Sequence, residues 1–260
     1  MQDPSHPSTV ADPDDAGLQP AALAFDLDGT LIDTAPDIRA ALNRALAWQG
    51  LRAVDGAQVR GWIGDGPDRL IERALQSQQV MLTPALGGAL RTAFDAATLE
   101  APLTAGTVFA GIADLLALWH GRLPMVVVTN KPTALSRSVL AAAGLLQHFD
   151  AVLGADRHEQ RKPAPDLLHE AARALGVPKA RLLMIGDSQN DLLCARHAGC
   201  PALWVAWGYG DAAATTEPTR RVASVAELGR WLERHAPLAG GAAAESDQSL
   251  VAASGRSPRP

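Results

Sequence analysis

Five short apolar runs limit what this chain can fold into. They read AALAFDLD (21–28), MVVVTN (125–130), AVLGAD (151–156), RLLMIGDS (181–188) and PALWVAWG (201–208). None carries a polar face, so each is expected to be a strand covered on both sides, as strands of parallel sheets are. Between them the spacing turns helical: Ile112, Leu115, Leu116 and Trp119; Leu135, Val139, Leu140 and Ala143; Leu167, Leu168, Ala171 and Leu175. Gly144, Gly176 and Gly199 stand where helices should end, because glycine accepts the left-handed conformation of a helix C-terminus. This alternation predicts an α/β fold, a Rossmann-like open parallel sheet flanked by helices.

One interval breaks the pattern. Residues 29–124 separate the first run from the second, far more than one crossover helix needs. They hold an apolar stripe at Ile38, Leu42, Ala45 and Leu46, another at Leu70, Ile71, Ala74 and Leu75, and a weaker one over 84–100. A helical subdomain inserted after the first strand, above the sheet's carboxyl edge, is therefore expected. The organisation that follows is a core of 20–34 and 106–236, with a helical cap of 35–105. A Pro- and Asp-rich arm (1–19) and a Gly-, Ala-, Ser- and Pro-rich tail (237–260) have little to bury and are expected to be disordered.

Composition excludes several functions. Hydrophobic residues at 47% and charged residues at 20% are ordinary globular usage, not that of a disordered chain. A net charge of -5 speaks against nucleic-acid or anionic-membrane partners, which need a basic surface. No run reaches the roughly 18 apolar residues of a membrane span. The acidic start lacks the apolar segment of a secretory signal. Cys194 and Cys200 are too few for a disulfide framework or an all-cysteine zinc site, which fits a reducing cytoplasm. Monomer and homodimer are both compatible with the chain.

In open α/β sheets, ligands bind at the carboxyl ends of the strands. Here those ends are polar: Asp26-Leu27-Asp28-Gly29-Thr30, Thr129-Asn130-Lys131, and Gly186-Asp187-Ser188-Gln189-Asn190-Asp191. Arg161-Lys162-Pro163 precedes the 164–176 helix and would join them. Carboxylates gathered at one point repel each other and call for a cation. Oxygen ligands without His or Cys favour Mg²⁺, which takes a few carboxylates plus substrate phosphate. Lys162, with Thr129 and Asn130, would hold the remaining phosphate oxygens. Asp26 and Asp28, two apart, can share a face, so that one attacks phosphorus while the other handles protons.

These segments together resemble the haloacid dehalogenase-like hydrolases, whose first motif is DxDGT. FDLDGTLIDTAPDI (25–38), VVTNKP (127–132), RKPAPDLL (161–168), IGDSQND (185–191) and WGYG (207–210) carry the likeness over about residues 20–230. GWIGDGPDRLIERAL (61–75) is similar to the phosphoglycolate phosphatase subgroup. The resemblance implies that Asp26 is the nucleophile and forms an aspartyl-phosphate. Asp28 would protonate the leaving alkoxide and then activate water. Mg²⁺ would be held by the carboxylates of Asp26 and Asp187 and the backbone carbonyl of Asp28, with Asp191 behind them. Thr129, Lys162 and the Asn130 amide would bind the phosphoryl group.

The implied substrate is a small phosphate ester, 2-phosphoglycolate foremost. A sugar phosphate, N-acetylmuramic acid 6-phosphate, a nucleotide or pyrophosphate are the alternatives within the same chemistry. A phosphomutase and a non-catalytic phosphate-binding module stand further off. On the cap, Gly64, Asp65 and Gly66 are either a plain turn or a substrate-recognition loop, which the resemblance favours. Arg69, one turn on, would meet a substrate carboxylate, and Asp65, an acid beside an anion, is expected to turn away. Asp37 is expected in a first helical turn, where the helix dipole favours it. Asp33 either positions the cap hinge or is simply solvated.

Overall fold

The computed structural model describes residues 18–211 and 220–236, so the expected arm up to residue 17 and the tail from 237 lie outside the described residues. The chain runs through β1 (Ala22–Phe25), β2 (Ile32–Asp33), α1 (Ala35–Trp48), α2 (Gly56–Arg60), α3 (Pro67–Gln76), α4 (Pro84–Glu100) and β3 (Thr107–Val108). It continues through α5 (Ile112–Trp119), β4 (Met125–Thr129), α6 (Thr133–Ala142), β5 (Ala151–Gly154), α7 (Asp166–Leu175) and β6 (Leu182–Gly186). The last described elements are α8 (Gln189–Ala198), β7 (Ala202–Val205), β8 (Arg220–Val222) and α9 (Val225–His235).

Six strands form one sheet in the order β5-β4-β1-β6-β7-β8, every pairing parallel. The five apolar runs supply five of them. The sixth, β8, reads Arg-Arg-Val and, among the described residues, pairs with β7 alone; no apolar run announces it. Alternate residues of β1 serve opposite faces. Leu23 and Phe25 pack with Leu116, Trp119 and Trp231 on one side. Ala22 and Ala24 pack with Leu168, Ala171 and Ala195 on the other, where small side chains let α7 and α8 approach closely. Each large side chain buried this way contributes roughly 1.5–3 kcal/mol. Gly176 and Gly199 do end α7 and α8 in the left-handed conformation, at φ 65° and 71°.

Numbering the six sheet strands along the chain gives the order 3-2-1-4-5-6, which reverses direction between β1 and β6. A crevice opens at such a reversal because the two connecting segments leave in opposite directions. Phe25 lies in register with Ile185, so the acids that follow the two strands are brought side by side.

α1–α4 build a core of their own from Leu42, Leu46, Leu70, Ile71, Leu90 and Phe94. Leu135 at the start of α6 joins this cluster instead of the sheet core its helical stripe suggested. A two-stranded antiparallel stem, Ile32 opposite Val108 and Asp33 opposite Thr107, ties the entry and exit of this helical unit together. Two-residue strands leave no periodicity in the sequence, so no local pattern marks this stem. Among the described residues, no helix is long and apolar enough to cross a membrane.

Candidate active site

Asp26 leaves the last residue of β1, and its N–H donates to the Ile185 carbonyl at 2.9 Å. Asp187 follows β6 directly, and Asp191 lies in the first turn of α8. One carboxylate oxygen from each of Asp26, Asp187 and Asp191 lies within 4.8 Å of the others, and all three residues are buried. Lys162 Nζ donates to Asp191 Oδ1 at 2.6 Å and to the Val128 carbonyl at 2.9 Å. It stands 2.8 Å from Asp26 Oδ1. That oxygen is buried and has no partner at hydrogen-bonding angles among the described residues.

The other two acids are held by hydrogen bonds. Asp187 accepts from Thr30 Oγ1 at 2.9 Å and from the Tyr209 N–H at 2.6 Å. Asp191 Oδ2 accepts from the Ser188 N–H at 3.0 Å and Oγ at 2.6 Å, a reciprocal cap of α8. Two glycines make room for these side chains. A Cβ at Gly186 would overlap the Asp191 carboxyl group, and one at Gly208 would overlap that of Asp187.

Three buried carboxylates face one buried ammonium, so charge is uncompensated. Burial pushes the Asp26 carboxyl up to about 7; Lys162 opposes the rise, and repulsion from Asp191 and Asp187 adds to it. Burial likewise raises Asp187 to about 6, with Asp191 adding to it. Lys162 moves the other way from a buried amine: the two acids outweigh its desolvation and raise it above the usual lysine range. An all-oxygen donor set with excess negative charge and an oxygen lacking a hydrogen bond fits a hard divalent cation.

Asp28 shares the cavity with Asp26 but stays out of the acid cluster. The turn at Gly29, φ 87°, directs it toward β4. Its carboxylate accepts from Lys131 Nζ at 2.6 and 2.8 Å and from Thr34 Oγ1 at 2.6 Å. The cavity between these acids and α1–α4 is about 40 Å³ and is roofed by Ile38, Ile63, Leu70 and Phe94.

The remaining candidates divide. Thr129, Asn130, Gly64 and Gly66 line the same cavity. The Asn130 side chain is committed to the backbone: Oδ1 accepts from the Lys162 N–H at 2.7 Å, and Nδ2 donates to the carbonyls of Gly64 at 2.8 Å and Lys162 at 3.1 Å. It therefore positions Lys162 instead of offering its side-chain amide to an anion. Asp65 is turned outward, bonded to Arg73 and to Asn190 Nδ2. Arg69 does not reach the cavity. It pairs with Glu72 one turn along α3 and lines an outer polar cleft. Its place on the solvent face of α3 follows from Leu70, Ile71 and Ala74 taking the buried face.

Several site residues had no individual signal in the sequence. Lys131 lay beside the expected Asn130, but its ion pair with Asp28 depends on folding across 103 positions. Tyr209 sits in the WGYG segment. Its N–H holds Asp187, while its hydroxyl donates to Asp33 Oδ1 at 2.7 Å and accepts from the Ala35 N–H at 3.0 Å. Asp33, itself in the stem, thus joins it to Tyr209, with Arg60 of α2 3.7 Å away.

A parallel α/β sheet with acids massed at its reversal point, beneath a helical unit inserted after the first strand, defines a class of hydrolytic and phosphoryl-handling enzymes. Residues 20–199 match the family model of haloacid dehalogenase-like hydrolases, and the chain belongs to that family. A phosphoglycolate phosphatase from Photorhabdus laumondii is 38% identical over 200 residues, 76% of this chain and 86% of that one. The phosphoglycolate phosphatase of Pectobacterium atrosepticum is 36% identical over 232 residues, 88% and 96% of the two chains. Among solved structures, CbbY from Rhodobacter sphaeroides in complex with xylulose-1,5-bisphosphate superimposes with a TM-score of 0.71 at 26% identity, covering 81% of this chain and 97% of that one.

Proposed function

We propose that this protein is a Mg²⁺-dependent phosphomonoesterase that converts 2-phosphoglycolate to glycolate and phosphate. The observation that carries the reading is Asp26: a buried carboxylate 2.8 Å from the buried ammonium of Lys162, on a residue that lines the cavity shared with Asp28. A nucleophile needs a partner for the charge of the group it attacks. The names of the relatives support phosphoglycolate over the other esters.

Asp26 attacks phosphorus, and the bond to the ester oxygen breaks. Asp28, acting in its protonated form, gives that oxygen its proton. Asp28 then takes a proton from the water that attacks the aspartyl-phosphate, which releases phosphate and restores Asp26. Lys162 and Thr129 hold the transferring oxygens. The carboxylates of Asp26 and Asp187 and the backbone carbonyl of Asp28 would hold Mg²⁺, with Asp191 bracing Lys162 and the Ser188 turn. The ion, when bound, offsets the charge shared by the acids and the phosphoryl group. Segment 35–105 acts as a cap that excludes bulk water. A reducing, cytoplasmic setting suits the two free, buried cysteines.

The test is phosphate release from 2-phosphoglycolate, sugar phosphates, N-acetylmuramic acid 6-phosphate, a nucleotide and pyrophosphate, with and without Mg²⁺. The highest kcat/KM is expected for phosphoglycolate, with activity abolished by chelation. Asp26→Asn should lower kcat by at least about 10³-fold while the fold persists. A flat profile would remove the substrate, and turnover retained by Asp26→Asn would sink the mechanism.

A further inference from the structure

Two lysines serve this site, and they divide it. Lys162 belongs to the Asp26 side, where it meets Asp26, Asp191 and the Val128 carbonyl. Lys131 belongs to the Asp28 side, where its Nζ touches both carboxylate oxygens, at 2.6 and 2.8 Å. Both are buried. Among the described residues lining the cavity, Lys131 is the only cation, and the roof above it is apolar.

We propose that Lys131 is a specificity-determining residue that binds the carboxylate of the leaving group. The inference rests on the phosphoglycolate reading above. A general acid must lie within about 2.6–3.2 Å of the oxygen it protonates, so the ester oxygen sits against Asp28. In phosphoglycolate the carboxylate is joined to that oxygen through a single methylene. It is thereby placed beside whatever adjoins Asp28, which is Lys131. An ammonium has three donors, and Asp28 engages two of them. The third is available to a substrate oxygen. A carboxylate entering this cavity without a cation would be a buried, unpaired charge among Ile38, Ile63, Leu70 and Phe94, which is strongly unfavourable. Arg69, the alternative cation, faces away on α3 and cannot supply it.

The role predicts discrimination, not merely rate. Lys131 also braces Asp28, so Lys131→Met should slow every substrate. The informative quantity is the ratio of kcat/KM for 2-phosphoglycolate to that for ethyl phosphate, which has the same chain length and no carboxylate. With the Mg²⁺-loaded enzyme the ratio is expected to be at least about 50, because a site built for a polar group rejects the analogue that lacks it. In Lys131→Met it should fall to within about threefold of one, mainly through a raised KM for phosphoglycolate. Lys131→Arg, which keeps the charge, should retain most of the preference.

A second measurement needs no variant. 3-Phosphonopropionate, with its carboxylate, should inhibit the unaltered enzyme at least tenfold more strongly than propylphosphonate. A preference unchanged in Lys131→Met, with both substrates slowed alike, would overturn the assignment and leave the substrate reading intact. Equal inhibition by the two phosphonates would overturn it as well. An unaltered enzyme with no preference for phosphoglycolate over ethyl phosphate would instead remove the substrate reading, and this inference with it.

Discussion

Asp37, at the start of the cap's first helix, binds the backbone of Gly106, where the chain returns from the cap. Its Oδ2 accepts the Gly106 N–H at 2.7 Å, and Oδ1 accepts the N–H groups of Thr104 and Ala105 at 2.9 and 3.0 Å and the Thr104 hydroxyl at 2.9 Å. The helix-dipole role expected for this residue is thus the smaller part of what it does. One carboxylate fastens the outgoing linker to the incoming one.

Replacing Asp37 by Ala should destabilise the protein by about 2–3 kcal/mol, because the N–H groups it serves lose a charged acceptor. Burial alone would raise the Asp37 carboxyl, but the bonds from Ala105, Thr104 and Gly106 outweigh it and hold it below the ordinary aspartate range. The folded value is lower than the unfolded one, so the contribution is complete above that unfolded value and is lost as pH falls toward the folded one. Urea unfolding at pH 7 and at successively lower pH, for the unaltered protein and Asp37→Asn, checks this. The gap between the two should narrow in acid, and a pH-independent gap would contradict it.

Gly186→Ala should cost activity out of proportion to stability. The added methyl would overlap the Asp191 carboxyl group, which holds Lys162 and the Ser188 turn. Overpacking of this kind costs roughly 1–3 kcal/mol of stability. Displacing Lys162 from Asp26 should lower kcat by on the order of 10²-fold, since small misplacements at a reacting centre are expensive. Steady-state kinetics beside thermal melting would decide it. A kcat within a few-fold of the unaltered enzyme would show that the acid cluster tolerates the shift.

Arg161 joins the core to the cap. Its guanidinium pairs with Asp68 of α3, which also receives Arg91 at 2.6 Å. Asp68 is about half exposed, so the pair is worth no more than about 1 kcal/mol. Arg161→Ala should therefore raise KM by about two- to fivefold, through a smaller closed fraction, with kcat little changed. Salt should erase the difference as it screens the pair. A KM change that persists at high ionic strength would mean that Arg161 acts by packing against Gly66, a further neighbour.

What the sequence determined by itself was whatever local pattern encodes. Apolar runs covered on both faces specify buried parallel strands. The 3.6-residue stripes of Leu42–Leu46 and Leu70–Leu75 specify the inserted helices, and the acids at the run ends mark the chemical edge of the sheet. What only tertiary structure decided was which polar groups meet. Asp26 and Asp187 are neighbours because β1 pairs with β6 in register, across 161 positions of chain that no local period connects. Lys131 reaches Asp28, Asp37 reaches Gly106 and Tyr209 reaches Asp187 for the same reason, while Arg69, expected at the substrate, is carried outward by the packed face of its own helix. Periodicity records which side of an element is buried. The partner found on that side depends on how the elements are stacked, and that was settled by the strand order and by the glycines that let acid side chains approach the backbone.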